Sequence, residues 1–290
     1  MTTVTLGSTN ITVPKNGFGA LPIQRITKEE AVALLRRAYD GGIRFFDTAR
    51  SYSDSEEKVG AAFAGMREKV FIATKVPRFT AAEFWEDLNT SLEKLGTDYV
   101  DLLQFHNPAF CPKPGDGTGL YEAMLEAKAQ GKIRHIGITN HRLGVAEEAI
   151  ASGLYETLQF PFSYLATEKE LKLVQGCKEK NMGFIAMKAL AGGTINNSAA
   201  AYAYLAQFDN VLPIWGVQRP HELEEFLSYQ DNPPAMTEEI KALIEKDRRE
   251  LAGSFCRGCG YCMPCPQEIQ INQCARMSLM IRRAPTESWL

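Results

Sequence analysis

The feature that most constrains this chain is a repeat of pattern rather than of residues. A short apolar run of strand type is followed by an amphipathic helical stretch, and the unit recurs. Strand-type runs fall at 16–21, 43–46, 70–75, 99–106, 133–139, 156–160, 183–187 and 211–215. Helical periodicity begins at Thr27 and returns at 55–64, 81–95, 119–130, 143–151, 168–180, 198–207 and 221–229. Parallel strands need helical crossovers, so short buried strands at this spacing predict an α/β chain. About eight units in roughly 230 residues predict closure as a (β/α)8 TIM barrel, for which about 250 residues is typical. The competing arrangement is a doubly wound open sheet. Against it, no Gly-x-Gly-x-x-Gly follows an early strand.

Two segments stand outside the repeat. At 3–14, Val4 and Leu6 alternate with polar residues, Gly7-Ser8-Thr9-Asn10 is turn chemistry, and Ile11 and Val13 resume the alternation. This predicts an N-terminal hairpin. Asp231-Asn232-Pro233-Pro234 then breaks the repeat. The expected organisation is a barrel over 1–235 and an extension over 236–290, made of a charged helix at 237–252 and a cysteine-rich segment.

The net charge of −3 and the lack of a long basic run argue against a nucleic-acid partner. Met1-Thr2-Thr3-Val4-Thr5 has neither the basic nor the apolar region of an export signal. No apolar run approaches the roughly 18 residues of a membrane span. A soluble, cytoplasmic protein with no membrane partner is expected.

The 43–46 run stops on Asp47, and Tyr52 follows five residues later. A carboxylate directly after an apolar strand is costly unless it is paired or has a task. In a parallel barrel, the carboxyl ends of the strands are where chemistry collects. The next two strands end on Lys75 and His106. A buried lysine needs a partner, and Asp47 supplies one. An ammonium beside a phenol favours phenolate, so the Tyr52 pKa is expected to fall, making it a proton donor near neutral pH. His106 can orient a carbonyl or relay a proton. Each residue alone also reads as structural: an ion pair, a rim aromatic, a core histidine. Their placement on three successive strand ends favours a site.

With Phe-Asp-Thr-Ala-x-x-Tyr, Ala-Thr-Lys and Leu-Gln-Phe-His in this order, the chain resembles the aldo-keto reductase family over residues 1 to about 230. The resemblance implies a catalytic tetrad of Asp47, Tyr52, Lys75 and His106 acting on a small-molecule carbonyl or alcohol. It also implies NADP or NAD lying extended across the barrel mouth. Gly19, Ala20 and Asp47 would then lie near the nicotinamide, and Thr139, Asn140 and Gln159 would hold its carboxamide. Met187 stands where many members stack an aromatic ring. Lys188, Leu190, Gly192 and Gly193 belong to a run along the pyrophosphate. Arg219 would meet a phosphate, and Glu225 matches an acid near the adenine. Glu222, where NADPH-preferring members carry arginine, would repel a 2′-phosphate, so NADP against NAD stays open. The loop 107–112 is expected to line the substrate pocket.

Five of the seven cysteines lie between 256 and 274. Cys111 and Cys177 are isolated and read as inert core thiols. Cys256-x2-Cys259-x2-Cys262-x2-Cys265-Pro266 is similar to an iron–sulfur run, one residue shorter before its last cysteine than the ferredoxin version. It implies a 4Fe-4S cluster on Cys256, Cys259, Cys262 and Cys265, and the subgroup of the family that carries such a tail. A structural Zn(Cys)4 site and unligated thiols stay open. Relatives with this tail carry a second cysteine-rich motif further on. Its absence before Leu290 leads us to expect an incomplete cluster or a truncated chain. Two other functions remain in view: electron transfer to a redox partner through the tail, and nucleotide binding without carbonyl turnover.

Overall fold

The computed structural model describes residues 2–251 and 264–283. The hairpin forms as the alternation predicts: β1 (Thr3–Thr5) pairs antiparallel with β2 (Thr12–Pro14), placing Val4 opposite Val13. The strand–helix series then runs β3 (Gly17–Gly19), α1 (Lys28–Asp40), β4 (Phe45–Asp47), α2 (Ser55–Phe63), β5 (Phe71–Val76), α3 (Ala81–Leu95), β6 (Val100–His106) and α4 (Leu120–Ala129). It continues through β7 (Ile133–Thr139), α5 (Leu143–Ser152), β8 (Thr157–Pro161), α6 (Glu168–Glu179), β9 (Gly183–Met187), α7 (Ser198–Ala206), β10 (Val211–Gly216) and α8 (Pro220–Asp231). Strands β3 to β10 close into a parallel barrel in which the last strand pairs with the first, Trp215 beside Phe18. This is the (β/α)8 barrel that the repeat predicts.

Strand alternation divides the apolar residues into two cores. Along β4, Phe46 faces outward into the layer between sheet and helices, with Val59, Phe63 and Leu35. Phe45 faces the barrel interior with Ala73, Leu102, Ile185, Leu212 and Ile214. Val4, Leu6, Ile11 and Val13 of the hairpin join this inner cluster, so the hairpin is the floor of the barrel. Asp47, two residues past Phe45, therefore points inward at the opposite end.

Local chemistry sets the element ends. Thr27 caps α1 in a capping box with Glu30, and Ala31, Leu34, Leu35 and Ala38 form its buried face. Strand β4 starts later than the apolar run suggests. Arg44 folds back to donate to the carbonyls of Tyr39 and Ile43 at 2.6 and 2.8 Å, so Ile43 is buried outside the sheet. The 16–21 run gives a strand only at 17–19, because Leu21 leads into a 3₁₀ turn, Pro22–Arg25.

Beyond the barrel, α9 (Glu238–Glu250) buries Ile244 in the outer core, and α10 (Ile271–Cys274) and α11 (Met277–Arg283) follow. Asp247 of α9 is buried, accepts from the Tyr164 hydroxyl and pairs with Arg283 of α11 at 2.5 Å. Arg283 also pairs with Glu250 and donates to the Thr194 carbonyl at 2.8 Å. These bonds lay α11 against the turn that follows β9. Among the described residues, no helix is long and apolar enough to cross a membrane.

Candidate active site

The mouth of the barrel assembles the residues at the ends of β4, β5 and β6. The β4–α2 loop is stitched onto β5 by Thr48 N–H to Ala73 O (2.8 Å) and Arg50 N–H to Lys75 O (3.0 Å). A hydroxyl chain, Thr48 to Ser55 (2.9 Å) to the Ala20 carbonyl (2.9 Å), ties it to the end of β3. Tyr52 is thereby fixed over the strand ends. Lys75 donates to both Asp47 oxygens at 2.8 and 2.7 Å and to the Thr48 carbonyl at 2.6 Å. The pair is sealed, with Lys75 1% and Asp47 3% exposed. Its ammonium sits 5.1 Å from the centre of the partly buried Tyr52 ring. His106 meets that ring edge-on at 5.7 Å, and the Ser51 hydroxyl lies 3.2 Å from His106 Nδ1.

Burial acts on each ionisable group first. It pulls Lys75 down, but Asp47, and after it Tyr52, outweigh it and hold the ammonium above the usual lysine range. It pushes the Asp47 carboxyl up against the opposing pull of Lys75. The expectation of a lowered Tyr52 pKa is overturned. Burial raises the phenol, the lowering by Lys75 is smaller, and Asp47 adds to the rise. Tyr52 is therefore a neutral, protonated phenol at physiological pH. Burial, then Lys75 and His141, bring His106 down to about 3, so its imidazole is neutral as well.

Beneath these groups lie two amides. Gln104 Nε2 donates to Gln159 Oε1 at 2.8 Å and approaches Asp47 Oδ1 at 3.4 Å, while Gln159 Nε2 approaches Asp47 Oδ2 at 3.4 Å. Gln104 was not singled out from the sequence. An amide inside an apolar strand, two residues before His106, was the available signal. Ser51 and the rim ring Phe79 were missed because neither belongs to a periodic pattern. Phe79 stands 6.5 Å from Phe110 of the 107–112 loop, both rings being exposed.

The residues expected to meet a dinucleotide are distributed around the same mouth. Gly19 pairs with Asp47 across β3 and β4, and Ala20 N–H donates to Asp47 O at 2.8 Å. Thr139 lies between His106 and Gln159 in register, its hydroxyl 3.8 Å from the Met187 sulfur. Asn140 braces the loops: it donates to Pro108 O (2.8 Å) and accepts from the N–H groups of His141 (2.9 Å) and Arg142 (2.7 Å). After β9 the backbone enters the left-handed region at Lys188, Ala191, Gly192 and Gly193 (φ 54°, 49°, 69° and 90°). Leu190 lies within this turn. Glu222 accepts from the N–H groups of Gln218 (2.9 Å) and Arg219 (3.0 Å) at the start of α8. Glu225 accepts from the hydroxyls of Ser198 (2.5 Å) and Tyr229 (3.0 Å), joining α7 to α8.

Cys256, Cys259 and Cys262 lie outside the described residues. Cys265 is described, and its sulfur accepts from Gln267 N–H at 3.4 Å. Among the described residues, no group of three or more His, Cys, Asp or Glu is placed to hold a metal ion. Cys111 and Cys177 are buried, and burial pushes their thiols up to about 11 and about 12, as inert core residues require.

Comparison with known proteins agrees with this geometry. The chain is 37% identical over 150 residues to the methylglyoxal reductase DkgB of Salmonella typhi, a match covering 49% of this chain and 53% of that protein. It is 30% identical over 209 residues to L-galactose dehydrogenase of Arabidopsis thaliana, covering 66% of each. The match thus spans about half to two thirds of these curated relatives' length. Among solved structures, an aldo-keto reductase from Klebsiella pneumoniae in complex with NADPH is similar at a TM-score of 0.72 and 25% identity, over 84% of this chain and 94% of that one. Residues 15–200 match the model of the aldo/keto reductase family. With its closed parallel barrel and these strand-end residues, the chain belongs to the aldo/keto reductase family.

Proposed function

We propose that the chain is a cytoplasmic NAD(P)H-dependent oxidoreductase that interconverts a small-molecule carbonyl compound and its alcohol, with Tyr52 as the proton donor. The observation that carries this reading is the sealed Asp47–Lys75 pair beside a phenol kept protonated by burial. A relative named for methylglyoxal and a solved relative holding NADPH support the classes of substrate and cofactor. The barrel over 1–235 carries the chemistry, and the extension over 236–290 is an addition to it.

The residues present fit a dinucleotide. The left-handed residues at 191–193 bend the backbone into the kind of concavity that receives anions. In the segment before α8, Gln218 Oε1 is a buried acceptor without a partner among the described residues. Gly19, Ala20, Thr139, Asn140 and Gln159 would hold the nicotinamide end, Met187 to Gly193 the middle, and Arg219 and Glu225 the adenosine end. When bound, the dinucleotide supplies or accepts the hydride at the carbonyl carbon. Tyr52 passes its proton to the carbonyl oxygen, and the Lys75 charge offsets the negative charge left on the phenol oxygen. Neutral His106 orients that oxygen through a ring N–H. The Glu222 carboxylate at the α8 N-terminus weighs against a 2′-phosphate there, and the NADPH-bound relative weighs for it, so both nucleotides belong in the assay.

The test is nucleotide-dependent reduction of a carbonyl panel across pH. Because Tyr52 must be protonated and its pKa is raised, kcat/KM for reduction should stay level from about pH 6 to 8. It should fall only as pH rises past the ordinary tyrosine value of about 10. Alcohol oxidation, which needs the phenolate, should climb over the same alkaline range. His106, titrating at about 3, should add no inflection near neutrality. An inflection near pH 6.5 that His106→Gln removes would contradict this assignment.

The cysteine spacing favours one further reading: Cys256, Cys259, Cys262 and Cys265 hold a 4Fe-4S cluster for electron exchange with a redox partner. This would place the chain in the ferredoxin-tailed subgroup of the family. Anaerobic reconstitution followed by EPR and metal analysis checks it. About four irons per chain with matching sulfide support the cluster, whereas one zinc and no iron remove it.

A further inference from the structure

We propose that Arg276, in the C-terminal segment, binds the pyrophosphate of the dinucleotide, so that this segment forms one wall of the nucleotide site. The proposal rests on the nucleotide-binding reading above. Arg276 lies between α10 and α11, packed on the turn after β9. Its Nη1 stands 2.7 Å from the point where a Cβ on Gly192 would be. A side chain at 192 would push the guanidinium off this position, and the φ of 69° disfavours one independently.

The Arg276 guanidinium is incompletely satisfied. Its Nε is buried and has no hydrogen-bond partner among the described residues. A guanidinium nitrogen shielded from water without an acceptor is costly, and a planar fork is suited to a phosphate. Arg283, seven residues on, shows the contrast, with Asp247, Glu250 and the Thr194 carbonyl all in contact. Those bonds anchor the segment, and Met280 is buried, with its methyl 3.5 Å from a Cβ on Gly193. Arg276 is thus held over the turn by neighbours that do not use its own charge.

The surroundings select an anion, and the topology says which. The run from Lys188 to Asn197 contains a lysine and no carboxylate. Ala191, Gly192 and Gly193 curve the backbone beneath the guanidinium. In the barrel order, β9 stands four strands from β5, across the mouth from Lys75. An anion at Arg276 is therefore remote from Lys75 and lies at the turn assigned above to the middle of the dinucleotide.

The experiment is fluorescence titration of full-length wild type, Arg276→Ala and Arg276→Lys with NADPH and NADH, repeated at several salt concentrations. ADP and adenosine are run as competitors. Arg276→Ala should weaken both dinucleotides and ADP by about tenfold or more, the scale of a lost charge-assisted hydrogen bond, and leave adenosine unchanged. Its affinities should also depend less on salt. Arg276→Lys should fall between, keeping the charge without the fork. Arg276→Gln, with a similar stem and no charge, repeats the test should the alanine variant melt early. Wild type that binds dinucleotide, with alanine and glutamine variants binding equally well at every salt concentration, would overturn the role of Arg276. Wild type that binds neither dinucleotide would overturn the nucleotide reading itself, and the proposal with it.

Discussion

Lys75→Met should destroy turnover and cost the barrel about 3–5 kcal/mol, the scale of breaking a buried ion pair from one side. The ammonium supplies Asp47 with its two short hydrogen bonds. Without it, a carboxylate that is 3% exposed keeps only the 3.4 Å approaches of Gln104 and Gln159. Asp47 would relieve the cost by taking up a proton, since burial already pushes its carboxyl up. This fixes the sign of the pH dependence. A carboxyl raised in the folded state stabilises below its unfolded pKa, and that contribution is lost as pH rises through the folded value. The variant should therefore lie closest to wild type under mild acid and fall behind toward neutrality, as read by denaturant unfolding at several pH values. Removing both charges in Asp47→Asn/Lys75→Met should restore most of the stability and none of the activity. Loss of the charge beside the phenol should lower kcat by on the order of 10²–10³. Near-wild-type turnover in Lys75→Met would remove Lys75 from the chemistry.

Tyr52→Phe should give the cleanest separation of chemistry from binding. The ring's contacts with His106 and Lys75 are made by its faces and edge, and phenylalanine keeps them. Only the hydroxyl is lost, so melting temperature and NAD(P)H affinity should stay close to wild type. Without the proton donor, kcat should fall about 10²–10⁴-fold, the range typical of a positioned general acid. Turnover near wild type would pass the proton-donor role to another group, His106 being the nearest titratable ring.

Much of this was legible because the barrel writes itself in one period. The apolar runs that become β5 and β6 end on residues at the mouth, so Lys75 and His106 could be placed from spacing, while Thr139 was named only through the family resemblance. What escaped depends on contacts between distant segments. Gln104 looks like one polar residue in a buried strand until Gln159 and Asp47, 55 residues downstream and 57 upstream, appear beside it. The direction of the Tyr52 shift failed for the same reason. Sequence supplies the neighbouring charge, but burial comes from the closed fold, and burial is the larger influence. Arg276 carries no motif, and only the fold of α9 and α11 brings it to Gly192.

The pairing of Phe18 with Trp215 also dictates when the pocket can exist. On the ribosome, Asp47, Lys75 and His106 emerge well before the strand that seals them. At about 5–20 residues per second, the stretch from His106 to Gly216 takes roughly 5–20 s to make. Through that interval the barrel cannot close, so these residues lack the full burial that shifts their ionisation. The raised phenol and the lowered imidazole are therefore late products of synthesis, shifted from their ordinary ranges only when the tenth strand reaches the third.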